Sequence, residues 1–361
     1  MSSTRGNSIL HVSTEMDWRG GERQVHLLHE SLLSNQWNSH LLCPGDSSLF
    51  QKTTHNKMRP FKSKRKSAHV LHLLKVIKKT DFDIIHAHDS RAHLVCLLAS
   101  LLGMSIPMVV TRRSMPRIGG LLQRWKYQHP QIKRLVGISQ AIQEKLKTIA
   151  PAQHIETIYS GVKLAPAAHT IDLHSELRIP YETKLFAFVG ALSAEKGPDL
   201  FLKVAQTLSQ KRSAIHFVVI GEGPLGHSLK QKCSSTKWGE NVSFLGFRND
   251  LSALWYSLYC LLVPSRSEGL NTTILDAFYH EVPVIAFDTG GIPELISHEK
   301  TGLLCPAEDL KSMISYSLQL TDHQELRQSL VKNARNQVEN FAADKMAEKY
   351  MHLYREVLNS D

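Results

Sequence analysis

Residues 259–278 read YCLLVPSRSEGLNTTILDAF, and their reading decides the fold class. Tyr259–Ser265 is a short continuous apolar run, the pattern of a strand buried on both faces. From Thr272 onward the pattern is helical, opened by Asn271 and two threonines able to cap it. A strand, a loop and a helix in such short order form the unit of a parallel sheet covered by helices. Working outward, KLFAFVGA (184–191), IHFVVIG (215–221), VSFLG (242–246) and PVIAF (283–287) repeat the strand pattern, with helical stretches such as PDLFLKVAQTLSQ between them. Before residue 165 the same rhythm runs less cleanly through SILHVS, SHLLCPG, FDIIHAH, IPMVVTRR and RLVGIS. The spacing predicts two successive α/β units, 1–165 and 166–341, divided where KLAPAAHTIDLHSELRIP (163–180) turns polar and Pro-containing. The helix AADKMAEKYMHLYREVL (342–358) has no strand after it.

A chain of 361 residues and 40.7 kDa exceeds one ordinary core. With 42% hydrophobic and 21% charged residues it is globular rather than fibrous or disordered. Cys43, Cys96, Cys233, Cys260 and Cys305 are scattered without a C-x-x-C pair. That pattern argues against a disulfide scaffold or zinc ribbon and predicts a reduced, cytoplasmic chain. The opening residues offer no apolar stretch of signal-peptide length. The longest apolar run, LVCLLASLLGMSIPMVV (94–110), is broken by Gly103 and Pro107 and reads as a buried helix followed by a strand, not a membrane span.

The net charge of +10 is unevenly distributed. Residues 1–165 hold 24 Lys/Arg against 10 Asp/Glu, and the remainder 19 against 23. Ten basic residues and no acid lie within 52–79: Lys52, Lys57, Arg59, Lys62, Lys64, Arg65, Lys66, Lys75, Lys78 and Lys79. Such a field draws nucleic acid, an anionic membrane or an acidic substrate, and equally serves as a solvated face that keeps the chain soluble. Phe61 is the only aromatic residue in the run, which speaks against base stacking and so against nucleic acid. The expected functional version is peripheral contact with the inner face of an anionic membrane.

In open parallel sheets ligands bind beyond the carboxyl ends of the strands. After the first strand, Gly20 and Gly21 open a helix and allow close backbone approach to a phosphate or sugar, though an ordinary turn fits them too. After the strand at 184–191, Lys196 precedes a Gly-Pro helix start, a place from which an ammonium meets a diphosphate. After VPS come Glu268, the amides of Leu270, Asn271 and Thr272, and Asp276 eight residues beyond the first acid. Two carboxylates separated by open N–H groups suit the two ends of a nucleotide sugar, while either acid alone fits a helix start. His86 and His88 share one face of a strand. With no third ligand nearby in sequence, no metal site is expected, and one histidine is expected buried and the other at the site.

Gly221-Glu-Gly-Pro-Leu-Gly226 spells a dinucleotide fingerprint, but it follows the second strand of its unit and contains a proline. Asp81-Phe-Asp83 precedes its strand and reads as an entry turn. Ser139 and Ser160 sit in no G-x-S-x-G elbow.

Taken together, GGER, IIHAHD, LVGIS, IYSGV, VGALSAEKG, GEGPL, FLGFRNDL, PSRSEGLNTTILDAF and PVIAFDTGGIPELI, spread over roughly residues 8–305, resemble the family-four retaining glycosyltransferases. The resemblance implies a GT-B architecture: two Rossmann-like, doubly wound parallel-sheet domains facing across a cleft. It also implies sugar transfer from a nucleotide-diphospho-sugar with retention and without a metal, and a C-terminal helix that crosses back to the N-terminal domain. On this basis Lys196 is similar to the family's diphosphate lysine and Glu268 to the first acid of its E-x7-E motif. Leu270, Asn271 and Thr272 resemble the segment whose amides meet phosphate, and Phe247 and Arg248 the stretch whose main chain meets the base. Gly20 and Gly21 resemble the N-domain loop at the site, and His88 the histidine near the reacting sugar. Two positions depart from the pattern: Ala191 stands where the family has an arginine, for which Arg266, Arg19 or Arg23 are candidate substitutes, and Asp276 stands for the second Glu.

The expected function is a retaining, metal-independent transferase using a UDP- or GDP-linked sugar and a glycan or lipid-linked acceptor of lipopolysaccharide or related envelope synthesis. A nucleotide-sugar epimerase and an inactive nucleotide-sugar-binding subunit are the alternatives.

Overall fold

A computed structural model describes residues 7–53, 57–61, 66–116 and 120–360. Of the basic run, Lys62, Lys64 and Arg65 lie outside the described residues. The chain forms two compact units, Met1–Lys163 with Phe341–Asp361, and Leu164–Asn340.

The first unit holds a parallel sheet of β1 (Ser8–Val12), β2 (Asn38–Pro44), β3 (Met58–Phe61), β4 (Ile84–Ala87), β5 (Met108–Arg112), β6 (Ile132–Gly137) and β7 (Ile155–Thr157), in the order β3-β2-β1-β4-β5-β6-β7. The second holds β8 (Lys184–Val189), β9 (Ile215–Ile220), β10 (Val242–Gly246), β11 (Cys260–Val263), β12 (Val284–Phe287) and β13 (Leu303–Cys305), in the order β10-β9-β8-β11-β12-β13. Central strands are buried throughout: β4, β5, β9, β11 and β12 expose no residue, as continuous Val/Ile/Leu runs require when helices cover both faces. The strands unmarked in the sequence reading, β3, β7 and β13, are three or four residues long at or near sheet edges, too short to show a period.

Strand order reverses between β1 and β4 in one sheet and between β8 and β11 in the other. At such a switch point neighbouring loops diverge to opposite faces and leave a crevice at the carboxyl ends. In the first unit, Thr14 after β1 donates through N–H and Oγ1 to the Asp89 carboxylate after β4 (2.7 and 2.8 Å), tying the two loops together.

The helix Ala343–Asn359 belongs to the first unit. Its Met346, Tyr350, Leu353, Tyr354 and Val357, at helical spacing, pack with Ile9, Leu28, Ile84, Val109 and Val136 of that core. The apolar run at 94–110 is less buried than its sequence predicts. It does form a helix, Ser90–Leu101, and β5, but the helix is buried on one side only: Leu94, Leu98, Leu101 and Leu102 face outward. Among the described residues no helix is long and apolar enough to cross a membrane.

Candidate active site

In the second unit, the switch-point loops bring Lys196 and Glu268 together. Two close approaches force the meeting. A Cβ on Gly197 (φ +69°) would lie 2.0 Å from the Pro264 carbonyl oxygen, so the loop after β8 lies directly on the loop after β11. A Cβ on Gly290 (φ +56°) would lie 1.9 Å from the Glu268 carbonyl oxygen, which holds the loop after β12 against the other side. Pressed between them, Glu268 is 5% exposed. Its carboxylate accepts from Lys196 Nζ at 2.7 Å on each oxygen, from Ser265 Oγ at 2.8 Å and from Asn271 Nδ2 at 2.9 Å. A buried carboxylate is tolerated when paired and hydrogen-bonded to this degree.

Asn271 does two things. Its Oδ1 accepts the Thr273 N–H (3.0 Å) and caps the helix Thr272–Tyr279, while its Nδ2 orients Glu268. With the capping bond made to Thr273, the backbone N–H groups of Leu270, Asn271 and Thr272 have no hydrogen-bond acceptor among the described residues. Three open amides beside an ammonium make a place for an anion. Asp276 lies one turn into this helix, half-buried.

Arg248 and Phe247 follow β10. The Arg248 guanidinium is held by Asp250 (2.8 Å) and Glu176 (2.7 Å), which push its pKa still higher, so what remains at this position is main chain and the exposed Phe247 ring. Arg266 is not an available replacement for the arginine missing at Ala191: it forms a two-pronged ion pair with Asp199 (2.8 and 2.7 Å) and also donates to the Ala194 carbonyl at 2.9 Å. Bonding to Arg266 holds the Asp199 carboxyl below its usual range. The G-x-G-x-x-G segment packs on the loop after β8, Leu192 N–H donating to the Glu222 carbonyl and Leu225 N–H to that of Leu192 (both 2.9 Å). Asp83 accepts the Ser8 N–H at 2.9 Å, as an entry turn would.

In the first unit, both His86 and His88 are buried, at 0% and 3% exposure, which corrects the expectation of one at the surface of the site. The sequence also gave no sign of their partner His11, which β1–β4 pairing sets directly opposite His86. The three imidazoles are close enough to suggest a metal site. All of their ring nitrogens except His11 Nε2 are otherwise engaged. His86 bonds Tyr354 Oη (2.6 Å) and Thr111 Oγ1 (2.7 Å). Arg113 Nη2 stands 3.1 Å from His88 Nδ1, and His88 Nε2 stands 2.8 Å from His11 Nδ1. A guanidinium only donates, so His88 Nδ1 accepts, His88 Nε2–H donates to His11, and the His11 proton lies on Nε2, which has no hydrogen-bond partner among the described residues. A cation bonded to the group further disfavours a second one. Burial, reinforced by neighbouring histidines and Arg113, holds all three imidazoles well below their ordinary pKa and neutral.

Gly21 lies over this arginine, a Cβ there falling 3.4 Å from Arg113 Cδ, and Gly20 is exposed beside it. Glu22, in the same helix start, is buried and accepts the Arg19 N–H at 3.1 Å. Burial raises its pKa to about 7, with Arg113 opposing the rise. Glu22, Arg113 and His11 escaped the sequence reading, and only Glu22, directly after the paired glycines, stood next to residues it had singled out.

Two parallel sheets, each with its polar residues gathered at the switch point, define a GT-B glycosyltransferase, and comparison with known proteins agrees. Residues 18–165 match the model of Glycosyltransferase Family 4 and residues 170–337 that of Glycosyl transferases group 1. The chain belongs to glycosyltransferase family 4. It is 23% identical to the N-acetyl-alpha-D-glucosaminyl L-malate synthase of Bacillus anthracis, over 99% of this chain and 91% of that protein. It is 27% identical to a UDP-Gal:alpha-D-GlcNAc-diphosphoundecaprenol alpha-1,3-galactosyltransferase of Escherichia coli, over 98% of both. In fold it is similar to Anabaena HepE solved with UDP and glucose, with a TM-score of 0.83 at 17% identity, covering 96% of this chain and 98% of that one.

Proposed function

We propose that this glycosyltransferase moves a sugar, with retention and without a metal or other cofactor, from a UDP- or GDP-linked donor to a glycan or lipid-linked acceptor of the cell envelope, as in lipopolysaccharide synthesis. The observation that carries this reading is the Lys196–Glu268 pair standing beside the three open amides of 270–272. In sugar transfer from such a donor the departing group is a nucleoside diphosphate, so the barrier falls most where developing phosphate charge meets fixed positive ends. The Lys196 ammonium and the amides of Leu270, Asn271 and Thr272 supply that field. When phosphate draws Lys196 toward itself, Ser265 and Asn271 keep Glu268 oriented to accept from sugar hydroxyls.

Asp276 would accept from the ribose hydroxyls, and the main chain at Phe247–Arg248 would meet the base. In the first unit, His88 would contact the sugar near its reacting carbon by exchanging its bond to Arg113 or His11 for one to the sugar, beside the Gly20–Gly21 turn. The basic character of that unit suits an acceptor carried on an anionic membrane surface, and binding there is part of the proposal. The E. coli relative's lipid-linked acceptor supports the acceptor class.

The test is transfer and donor hydrolysis with UDP- and GDP-sugars, in the wild type and in Lys196→Ala and Glu268→Ala. Loss of both activities in both variants is expected, and wild-type rates in the two variants would refute the assignment. Because Ala191 removes one phosphate cation and Arg266, one of its three candidate substitutes, is engaged by Asp199, an inactive nucleotide-sugar binder is the second reading. Thermal stabilisation by donor without any turnover in the wild type would establish it.

A further inference from the structure

The helix Ser90–Leu101 has an outward face that the described residues of its unit do not cover. Ala92, His93, Val95, Cys96, Leu97 and Ala99 are buried. Leu94, Leu98, Leu101 and Leu102 are exposed, the last two at 60% and 62%. Their spacing of four, three and one residues puts them on a single stripe. Beyond Ser90 and Arg91 in the first turn, no exposed polar side chain shares that face of the helix. A helix that is apolar all round belongs inside a core or against lipid, and here only one side has a core.

The surroundings are basic. The helix Lys66–Ile77 packs alongside, and Leu71 and Lys75 on it, with Lys78 and Lys79 just after it, are exposed. On another side Lys126 Nζ donates to the Ser90 carbonyl (3.0 Å) and Oγ (3.1 Å). This bond holds the helix Gly120–Tyr127, with exposed Arg124 and Trp125, at the start of the leucine helix. From Lys52 to Gln143 the sequence has 18 Lys/Arg and three acids. Asp83 and Asp89, two of those acids, are bonded to backbone N–H groups.

We propose that Leu94, Leu98, Leu101 and Leu102 insert at the headgroup–acyl boundary of an anionic lipid bilayer, while Lys75, Lys78, Lys79 and Arg124 engage lipid phosphates. The inference rests on the membrane reading above and adds the element that enters the lipid. Apolar burial and attraction to anionic headgroups act together in interfacial helices, and either alone binds weakly. A second copy of the chain is a poorer occupant, because two such faces would bring like charge against like charge.

The experiment is co-sedimentation of the full chain with phosphatidylcholine–phosphatidylglycerol vesicles, and with phosphatidylcholine vesicles, at low and high salt. The wild type is expected to bind the anionic vesicles and to weaken with salt. Replacing Leu98, Leu101 and Leu102 with serine should lower partitioning about tenfold or more at both salts, with melting temperature and donor hydrolysis in solution unchanged. Replacing Lys75, Lys78 and Lys79 with alanine should instead flatten the salt dependence. Equal binding by the serine variant and the wild type would overturn the insertion and leave a purely electrostatic contact. No binding by the wild type would overturn the membrane reading itself. A wild-type dimer that the serine variant loses, with neither protein binding vesicles, would assign the face to a second copy. Should the serine variant fail to fold, Leu98→Trp in the otherwise intact chain reports directly: quenching by brominated lipid is expected, and its absence in the vesicle-bound protein overturns the inference.

Discussion

The ammonium of Lys196 stands 2.7 Å from both carboxylate oxygens of Glu268, so each holds the other in place before any donor arrives. Glu268→Gln keeps the shape and removes the charge that Lys196 answers. Transfer should fall by about 10²–10³, the scale for losing one well-placed charge-stabilising group. Lys196→Met should cost transfer similarly and, since the lysine is one-third exposed, stability by only about 1–2 kcal/mol. Steady-state kinetics and denaturant melts check the two effects separately.

Gly290→Ala places a methyl 1.9 Å from the Glu268 carbonyl oxygen at a φ of +56°. The loop has to shift, so a loss of roughly 2–4 kcal/mol and of most transfer activity is expected. Gly21→Ala meets only an ordinary contact at 3.4 Å and should change stability by less than about 1 kcal/mol. Thermal melts of the two variants side by side decide this.

Asn271→Ala removes a helix cap and one of the hydrogen bonds that orient Glu268. A loss of about 1–2 kcal/mol is expected, with kcat falling, whereas Asn271→Ser should recover the cap but not the bond to Glu268. Circular dichroism melts and kinetics on the pair separate the two roles.

Buried neutral histidines make the chain acid-sensitive. His11, His86 and His88 have folded pKa values below the unfolded value of about 6.5, so the unfolded chain binds more protons as pH falls. Stability is present above about pH 6.5 and is lost below it, by up to about 1.4 kcal/mol per pH unit for each histidine. Glu22 works in the opposite direction. Its folded pKa of about 7 lies above the unfolded value, so its contribution fades as pH rises toward 7. Glu22→Gln should therefore be more stable than the wild type at and above pH 7 and should lose that advantage near pH 4.5. Urea titrations across the range test both signs.

Arg113→Met removes the donor that makes His88 Nδ1 an acceptor. The His88–His11 pair should then redistribute its protons between tautomers and titrate closer to the ordinary range. Nitrogen-15 chemical shifts of the imidazole rings report this directly, independent of activity.

Much of the second unit was legible because its strands are long, apolar and followed at once by chemistry-bearing loops. Lys196 and Glu268 were found by reading what comes after VGALS and VPSRS. That Arg266 is taken by Asp199 was not legible, since the ion pair joins residues 67 positions apart. In the first unit, His11 looked like an ordinary strand residue until strand order set β1 beside β4. The leucine helix misled for a physical reason: an apolar helix with one covered side has the same sequence pattern as one buried all round.

The helix Ala343–Asn359 fills the first unit's core, yet the ribosome delivers it after the entire second unit. Until then Ile9, Ile84 and Val109 lack their lid, and His86 waits for the hydroxyl of Tyr354. The second unit can reach its native form during synthesis as soon as it has emerged, whereas the first must remain unfinished, and in need of protection from aggregation, until the helix Ala343–Asn359 has been made.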